Sequence, residues 1–96
     1  MNSPNSPDSL IRSVAESIAR RIADQTRPVR SLASVVKLAE NDEADEALDD
    51  LAHVIEYFRI SVHRAEYDQL VAAAQQLDAM DSLTNLNVEQ FVTEQN

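Results

Sequence analysis

The sequence predicts an all-α protein, a small bundle of three to five helices. The chain has 96 residues and no glycine, the residue that most tight hairpins and phosphate-binding loops require. Good helix formers dominate the composition, and apolar residues recur three and four positions apart. With 44% hydrophobic residues the chain can build a modest core. Residues 1–5 are predicted to be a flexible tail, and residues 6–96 a single helical domain.

The first helix has a clear start signal. Ser6 is its expected N-cap, since Pro7 suits the first helical position and Asp8 suits the positive end of the helix dipole. The helix is expected to run to about Gln25. Its apolar face is a stripe at helical period, made of Leu10, Ile11, Val14, Ala15, Ile18, Ala19, Ile22 and Ala23.

Proline marks the boundary with the second helix. Pro28 disfavours helical geometry at Arg27, so a break is predicted there. Thr26 is predicted to cap the second helix, which spans about residues 28–40. Its apolar face comprises Val29, Leu32, Ala33, Val36 and Ala39.

The third helix is predicted to begin in a turn and cap at Asn41 and Asp42. Nothing forbids helix from there to Met80, a span of 39 residues and about 58 Å. That length exceeds a compact protein of this size, and the apolar pattern changes phase, so a kink or short break is predicted near residues 59–66. Before that point the apolar residues follow a 3-4 spacing, which we call the seam: Leu48, Leu51, Ile55, Phe58 and Val62. The seam is predicted to be either core or a self-association surface.

A short last helix is predicted over residues 88–94. Asn87 is its expected N-cap, and Gln90 stands where a capping box would place it. Leu86 and Phe91 are spaced as a hydrophobic staple.

Charge is strongly negative and unevenly distributed. The formal net charge is -9. Residues 1–39 hold six basic and three acidic residues, whereas residues 40–96 hold two basic and fourteen acidic residues. On the third helix a 4-3-4-3 spacing places one set of side chains on a single face: Asp42, Glu46, Asp49, His53 and Glu56. This acidic face is either a solvated helix surface or a row of carboxylates that stands in for nucleic-acid phosphates on a basic partner.

The sequence carries no recognisable catalytic or cofactor motif. Without cysteine and glycine, thiolate chemistry, cysteine-based zinc sites and the P-loop are excluded. His53 with Glu56 and His63 with Glu66 form H-x-x-E pairs, but their order is the reverse of the E-x-x-H pairs of di-iron bundles. Surface histidines are the preferred interpretation, and no metal, cofactor or catalytic residue is predicted.

The composition also bears on nucleic acids and membranes. Arg12, Arg20 and Arg21 could contact phosphate, but the negative net charge and the lack of a recognition-helix pattern oppose direct nucleic-acid binding. The polar N-terminus does not resemble a signal peptide, and the longest aliphatic run, residues 70–74, is too short to span a bilayer. A soluble cytoplasmic protein with no membrane association is expected.

These observations predict a protein–protein interaction module without catalytic activity. It would bind through a helix face, and homodimerisation through the helix 1 stripe or the seam is expected. The alternative is a small acidic inhibitor whose carboxylate-rich helix blocks a basic nucleic-acid-binding protein. In size, charge and lack of chemistry the chain is similar to inhibitors that phages and plasmids encode, although no motif carries this resemblance.

Overall fold

The computed structural model describes residues 5–93, and the predicted all-α bundle of three to five helices is confirmed. Residues 1–4 of the predicted tail and residue 94 of the predicted last helix lie outside the described residues. The elements are α1 (Pro7–Arg21), α2 (Thr26–Glu40), α3 (Ala44–Phe58), β1 (Val62–His63), α4 (Arg64–Leu77), α5 (Asp81–Thr84), a 3-10 helix (Val88–Phe91) and β2 (Val92–Thr93).

Helix α1 begins as its sequence indicates and ends earlier than predicted. Ser6 is the N-cap, and its hydroxyl oxygen accepts a hydrogen bond from the Ser9 N–H at 3.3 Å. The helix stops at Arg21 instead of Gln25. The reason is a turn in which the Gln25 N–H donates to the Ile22 carbonyl at 2.8 Å and redirects the chain into α2.

The predicted start of α2 was wrong. Gln25, with extended backbone, is the N-cap in place of Thr26, and the helix already includes Arg27. Pro28 is the third helical residue and is buried. Because the first N–H groups of a helix have no intrahelical acceptor, proline loses no hydrogen bond at this position.

Two helices, α3 and α4, occupy the region predicted as one long third helix. Asn41 and Asp42 do not cap α3, because Asp42 is left-handed (φ 62°) and Glu43 is the N-cap. Helix α3 ends at Phe58, and the residue after it, Arg59, is also left-handed (φ 53°). The next N–H, from Ile60, donates to the Ile55 carbonyl at 3.0 Å, as in a Schellman-type helix end. The chain between the helices falls within the predicted break region.

The four main helices run antiparallel to their sequence or packing neighbours. Helix α1 packs against both α2 and α4, and α2 packs against α3, with turns of only three or four residues joining α1 to α2 and α2 to α3. Arg21 at the end of α1 meets Glu66 at the start of α4, and Gln76 near the end of α4 donates to the Asn5 carbonyl at 2.8 Å. The bundle measures 33 × 23 × 23 Å.

The C-terminal part differs most from prediction. The predicted helix over residues 88–94 is a single 3-10 turn followed by β2, which pairs in parallel with β1 through Val62 and Val92. Asn87 is the N-cap residue of this turn, as predicted, but its backbone is left-handed (φ 51°) and its side chain makes no capping hydrogen bond. Asp81, directly after the predicted end of the third helix at Met80, begins α5. Strand pairing takes the backbone hydrogen bonds that a longer helix would need.

The seam lies inside the bundle. Leu48, Leu51, Ile55 and Val62 have no exposed surface and pack in a core to which every main helix contributes. Phe58 is partly buried at the edge of that core. Of the two interpretations of the seam, the structure therefore shows the core. Between residues 5 and 93, no helix combines the length and apolarity needed to cross a membrane.

Truncating a seam residue should destabilise a single chain. We expect Leu48→Ala to lower the free energy of unfolding by about 2–5 kcal/mol, the cost of losing buried methyl groups and leaving a cavity. Urea denaturation at two protein concentrations measures this loss. Leu38→Ala, at a half-exposed leucine of α2, is the control and should cost less. A loss that appears only at protein concentrations where chains associate would instead place Leu48 in an interface between chains.

Candidate functional site

The most deeply buried ionisable group is the carboxylate of Glu66, in the first turn of α4. Its side chain is 8% exposed. Arg21 donates two hydrogen bonds to it, at 2.7 Å and 2.9 Å, in a bidentate geometry. The Ser17 hydroxyl donates at 2.6 Å and the His63 backbone N–H at 2.9 Å. Arg21 also donates to the Ser61 carbonyl at 2.7 Å, so this cluster joins α1, α4 and the intervening chain.

The cluster determines the ionisation state of Glu66. Burial raises the pKa of Glu66, but the hydrogen bonds from Arg21, Ser17 and His63 outweigh burial and hold the pKa below the ordinary 4.5. Four donors occupy the four lone-pair positions of an ionised carboxylate. Glu66 is therefore a structural anion with no lone pair left for a substrate.

The two histidine–glutamate pairs make different contacts. His63 is the N-cap residue of α4, and Glu66 accepts from its backbone N–H as in a capping box. His53 lies on the surface of α3, where its Nδ1 is 2.8 Å from the Asp49 carbonyl oxygen. In the described part of the chain, no group of three or more potential ligands is arranged to hold a metal ion. The three-residue spacing of His63 and Glu66, which is that of a capping box, was the signal in the sequence for the structural role of Glu66.

The structure gathers carboxylates at the end of the bundle that holds the α2–α3 turn. Glu46 and Asp49 are exposed on α3, Asp42 lies in the preceding turn, and Asp8 reaches the same place from the start of α1. These four residues and their neighbours Glu43 and Asp45 make up what we call the acidic surface: Asp8, Asp42, Glu43, Asp45, Glu46 and Asp49. All but Asp49 line a cleft of about 350 Å³ that also contacts Leu77. Sequence reasoning missed Asp8, because only the fold brings α1 to this turn.

His53 Nδ1 lies 3.6 Å from Asp49 Oδ2 of the acidic surface, and Arg12 lines a cleft with Asp8. Among the described residues, neither lysine nor arginine forms an ion pair with any carboxylate of this surface. Burial raises the pKa of Asp8, and a hydrogen bond and charge repulsion from Asp42 raise it further. Two carboxyl groups therefore crowd one another, which costs stability when both are ionised.

Glu56 belongs to a different surface from the other predicted acidic residues. It lies ten residues beyond Glu46 on the same helix, about 15 Å away along the axis. The predicted acidic face is thus divided between the two ends of α3. His53 also lies toward the Glu56 end, in a groove that the sequence did not indicate.

This groove lies between the start of α2 and the end of α3 and has a volume of about 440 Å³. We call it the Tyr57 groove; it is lined by Arg27, Ser31, His53, Val54, Glu56, Tyr57 and Phe58. The Tyr57 side chain is 70% exposed, and among the described residues it is the one large hydrophobic side chain exposed to this degree. Its ring packs edge to face on Phe58 with centroids 4.9 Å apart. Tyr57 does not belong to the 3-4 spacing of the seam. That offset was the signal in the sequence that its ring would face outward.

Basic side chains concentrate toward the end of the bundle opposite the acidic surface. Arg20 on α1, Arg27 on α2 and Arg59 after α3 are exposed there. Of the arginines considered for phosphate contact, Arg21 is held by Glu66, and Arg12 lies toward the acidic end beside Glu40. Because the helices pack antiparallel, the uneven distribution of charge along the sequence becomes an acidic end and a basic end of the bundle.

Comparison of the chain with protein-family models, with curated proteins and with solved structures found no match. The fold presents two exposed surfaces that could bind a partner, the acidic surface and the Tyr57 groove. The acidic cleft lies at the start of α3 and the Tyr57 ring at its end.

Replacing Glu66 tests its structural role. We expect Glu66→Gln to lower the free energy of unfolding at pH 7 by about 1.5–3 kcal/mol, because charge-assisted hydrogen bonds are lost. The difference from wild type should shrink on acidification. A carboxylate whose pKa is lowered by folding stabilises the fold above its unfolded value near 4.5, and that contribution is lost as pH falls through the folded value.

Denaturation midpoints between pH 3 and pH 7 provide the measurement. Glu16→Gln, at an exposed glutamate of α1, is the control and should stay within about 0.5 kcal/mol of wild type. A difference for Glu66→Gln that is unchanged across this pH range would contradict the assignment.

Proposed function

We propose that this chain is a non-catalytic binding protein whose acidic surface engages a positively charged surface of another protein. The observation that carries the proposal is the convergence of carboxylates from α1, the α2–α3 turn and α3, none of which forms an ion pair with a lysine or arginine of the described residues. Like charges held together cost folding free energy, and after burial the neighbouring Asp42 contributes to raising the pKa of Asp8 through a hydrogen bond and charge repulsion. A cationic partner would relieve that cost, so binding gains from an arrangement that folding alone disfavours.

The distribution of apolar surface supports a charged contact over a helix-face contact at this end. The seam residues are buried in the core or at its edge, and the cleft between the acidic residues has only the half-buried Leu77 and the buried Ala44 as apolar lining among the described residues. Binding there would depend on charge and hydrogen bonding. Such interfaces associate rapidly and weaken as salt screens the charges.

The kind of partner follows from the chemistry of the surface. Successive carboxylates on a helix face lie about 5–6 Å apart, and such a row presents repeated negative charge as a nucleic-acid backbone does. We therefore propose a nucleic-acid-binding protein as the partner, with the acidic surface competing for its basic site. A cytoplasmic setting is part of the proposal, because a chain without cysteine suits a reducing compartment.

Neutralising the acidic surface should weaken binding much more than neutralising other carboxylates. The test variant is Asp42→Asn/Glu46→Gln/Asp49→Asn. The control is Glu16→Gln/Asp68→Asn/Glu89→Gln, which removes three exposed carboxylates from other places and has the same net charge. A basic protein captured by the immobilised wild-type chain at low salt is purified, and its affinity for each variant is measured by titration.

We expect the dissociation constant to rise about tenfold or more for the acidic-surface variant and to change little for the control. Wild-type binding should weaken steeply with salt, and DNA should compete with the chain for its partner. Equal losses for the two variants would show that net charge alone matters and would contradict a localised site. Binding that resists salt and DNA would contradict the charged contact.

A further inference from the structure

The Tyr57 groove has the features of a small interface, and its charges are arranged for self-recognition. Tyr57 exposes most of an aromatic ring beside Val54 and Phe58, which are only partly buried. Exposed aromatic side chains next to apolar neighbours are typical anchors of protein interfaces. In the described residues this ring is the largest hydrophobic group that the chain leaves without a cover.

Arg27 and Glu56 border the groove from different helices. Arg27 comes from the first turn of α2 and Glu56 from the last turn of α3, and within residues 5–93 neither forms an ion pair. The groove thus has an apolar centre with one cation and one anion beside it. A second copy rotated by 180° about an axis through that centre would place Arg27 of each copy opposite Glu56 of the other.

The charge distribution favours this placement over contact between other faces. Each copy carries a net charge of -9, so two copies repel if their acidic surfaces approach. Glu46, in the acidic surface, and Glu56, in the groove, lie about 15 Å apart along α3. That separation is nearly twice the Debye length of about 8 Å at physiological salt, so pairing through the groove leaves the carboxylates at the start of α3 in the two copies apart and exposed.

We propose that the chain forms a two-fold symmetric homodimer in which the Tyr57 grooves of two copies face each other. Tyr57 of each copy packs on Val54 and Phe58 of the other, and two Arg27–Glu56 ion pairs flank the aromatic centre. The proposal does not depend on the binding of a basic partner, since it uses no residue of the acidic surface. A dimer of this form would present two acidic surfaces facing away from the interface.

Charge reversal with mixing of variants tests the symmetry directly. In a dimer of Arg27→Glu, both contacts between residues 27 and 56 join two acids. In a dimer of Glu56→Arg, both contacts join two bases. Each single variant should raise the dimer dissociation constant by about tenfold or more, as measured by sedimentation velocity. An equimolar mixture of the two variants should restore dimerisation, because both contacts across the interface then join opposite charges.

The matched control is a mixture of Arg30→Glu with Glu16→Arg, at exposed positions that do not line the groove. These single variants carry the same changes of net charge and should dimerise as wild type does. Tyr57→Ala should also weaken the dimer, with its helical circular dichroism retained because the ring is mostly exposed. Wild type that stays monomeric up to about 1 mM, or a dimer unaffected by Tyr57→Ala and by both charge reversals, would overturn the proposal.

Discussion

Four hydrogen bonds to one buried carboxylate hold α4 against α1, and the rest of the structure depends on that contact. Burying an anion is costly unless its lone pairs are occupied, and Arg21, Ser17 and the His63 backbone occupy those of Glu66. Arg21 extends the contact to the Ser61 carbonyl and so fixes the chain between α3 and α4. With α4 held there, the apolar seam of α3 is enclosed, and the charged and aromatic groups outside it become the surface available to partners.

The enclosed seam also explains why the two candidate surfaces differ in chemistry. Apolar side chains of every main helix are used in one core, which leaves Tyr57 as the exposed large hydrophobic residue of the described chain. Antiparallel packing brings the N-terminus of α1, the α2–α3 turn and the end of α4 together, and five carboxylates line the cleft there. The opposite end carries Arg20, Arg27 and Arg59. Two surfaces of different chemistry can therefore act without competing for the same residues.

Local signals predicted much of the fold, and non-local contacts decided the rest. Ser6 and Pro7 fixed the start of α1 because a cap depends on three or four adjacent residues. The end of α3 was harder, because Arg59 adopts a left-handed conformation for which the sequence offers no glycine. Asp8 joined the acidic surface and Val92 paired with Val62 through contacts that no local pattern encodes. The H-x-x-E spacing at His63 was visible, but its capping role depended on burial by α1.

The distance between the start of α3 and the end of α4 tests most directly whether α4 folds back on α1. The sequence has no cysteine, so Glu46→Cys/Gln75→Cys introduces two unique and exposed sites for spin labels. If α4 folds back on α1 through the Arg21–Glu66 contact, both labels lie at one end of the bundle. Pulsed electron spin resonance should then give a distance comparable to the 23 Å width of the bundle. A continuous helix through residues 59–63 would separate the sites by about 44 Å, and that result would contradict the account.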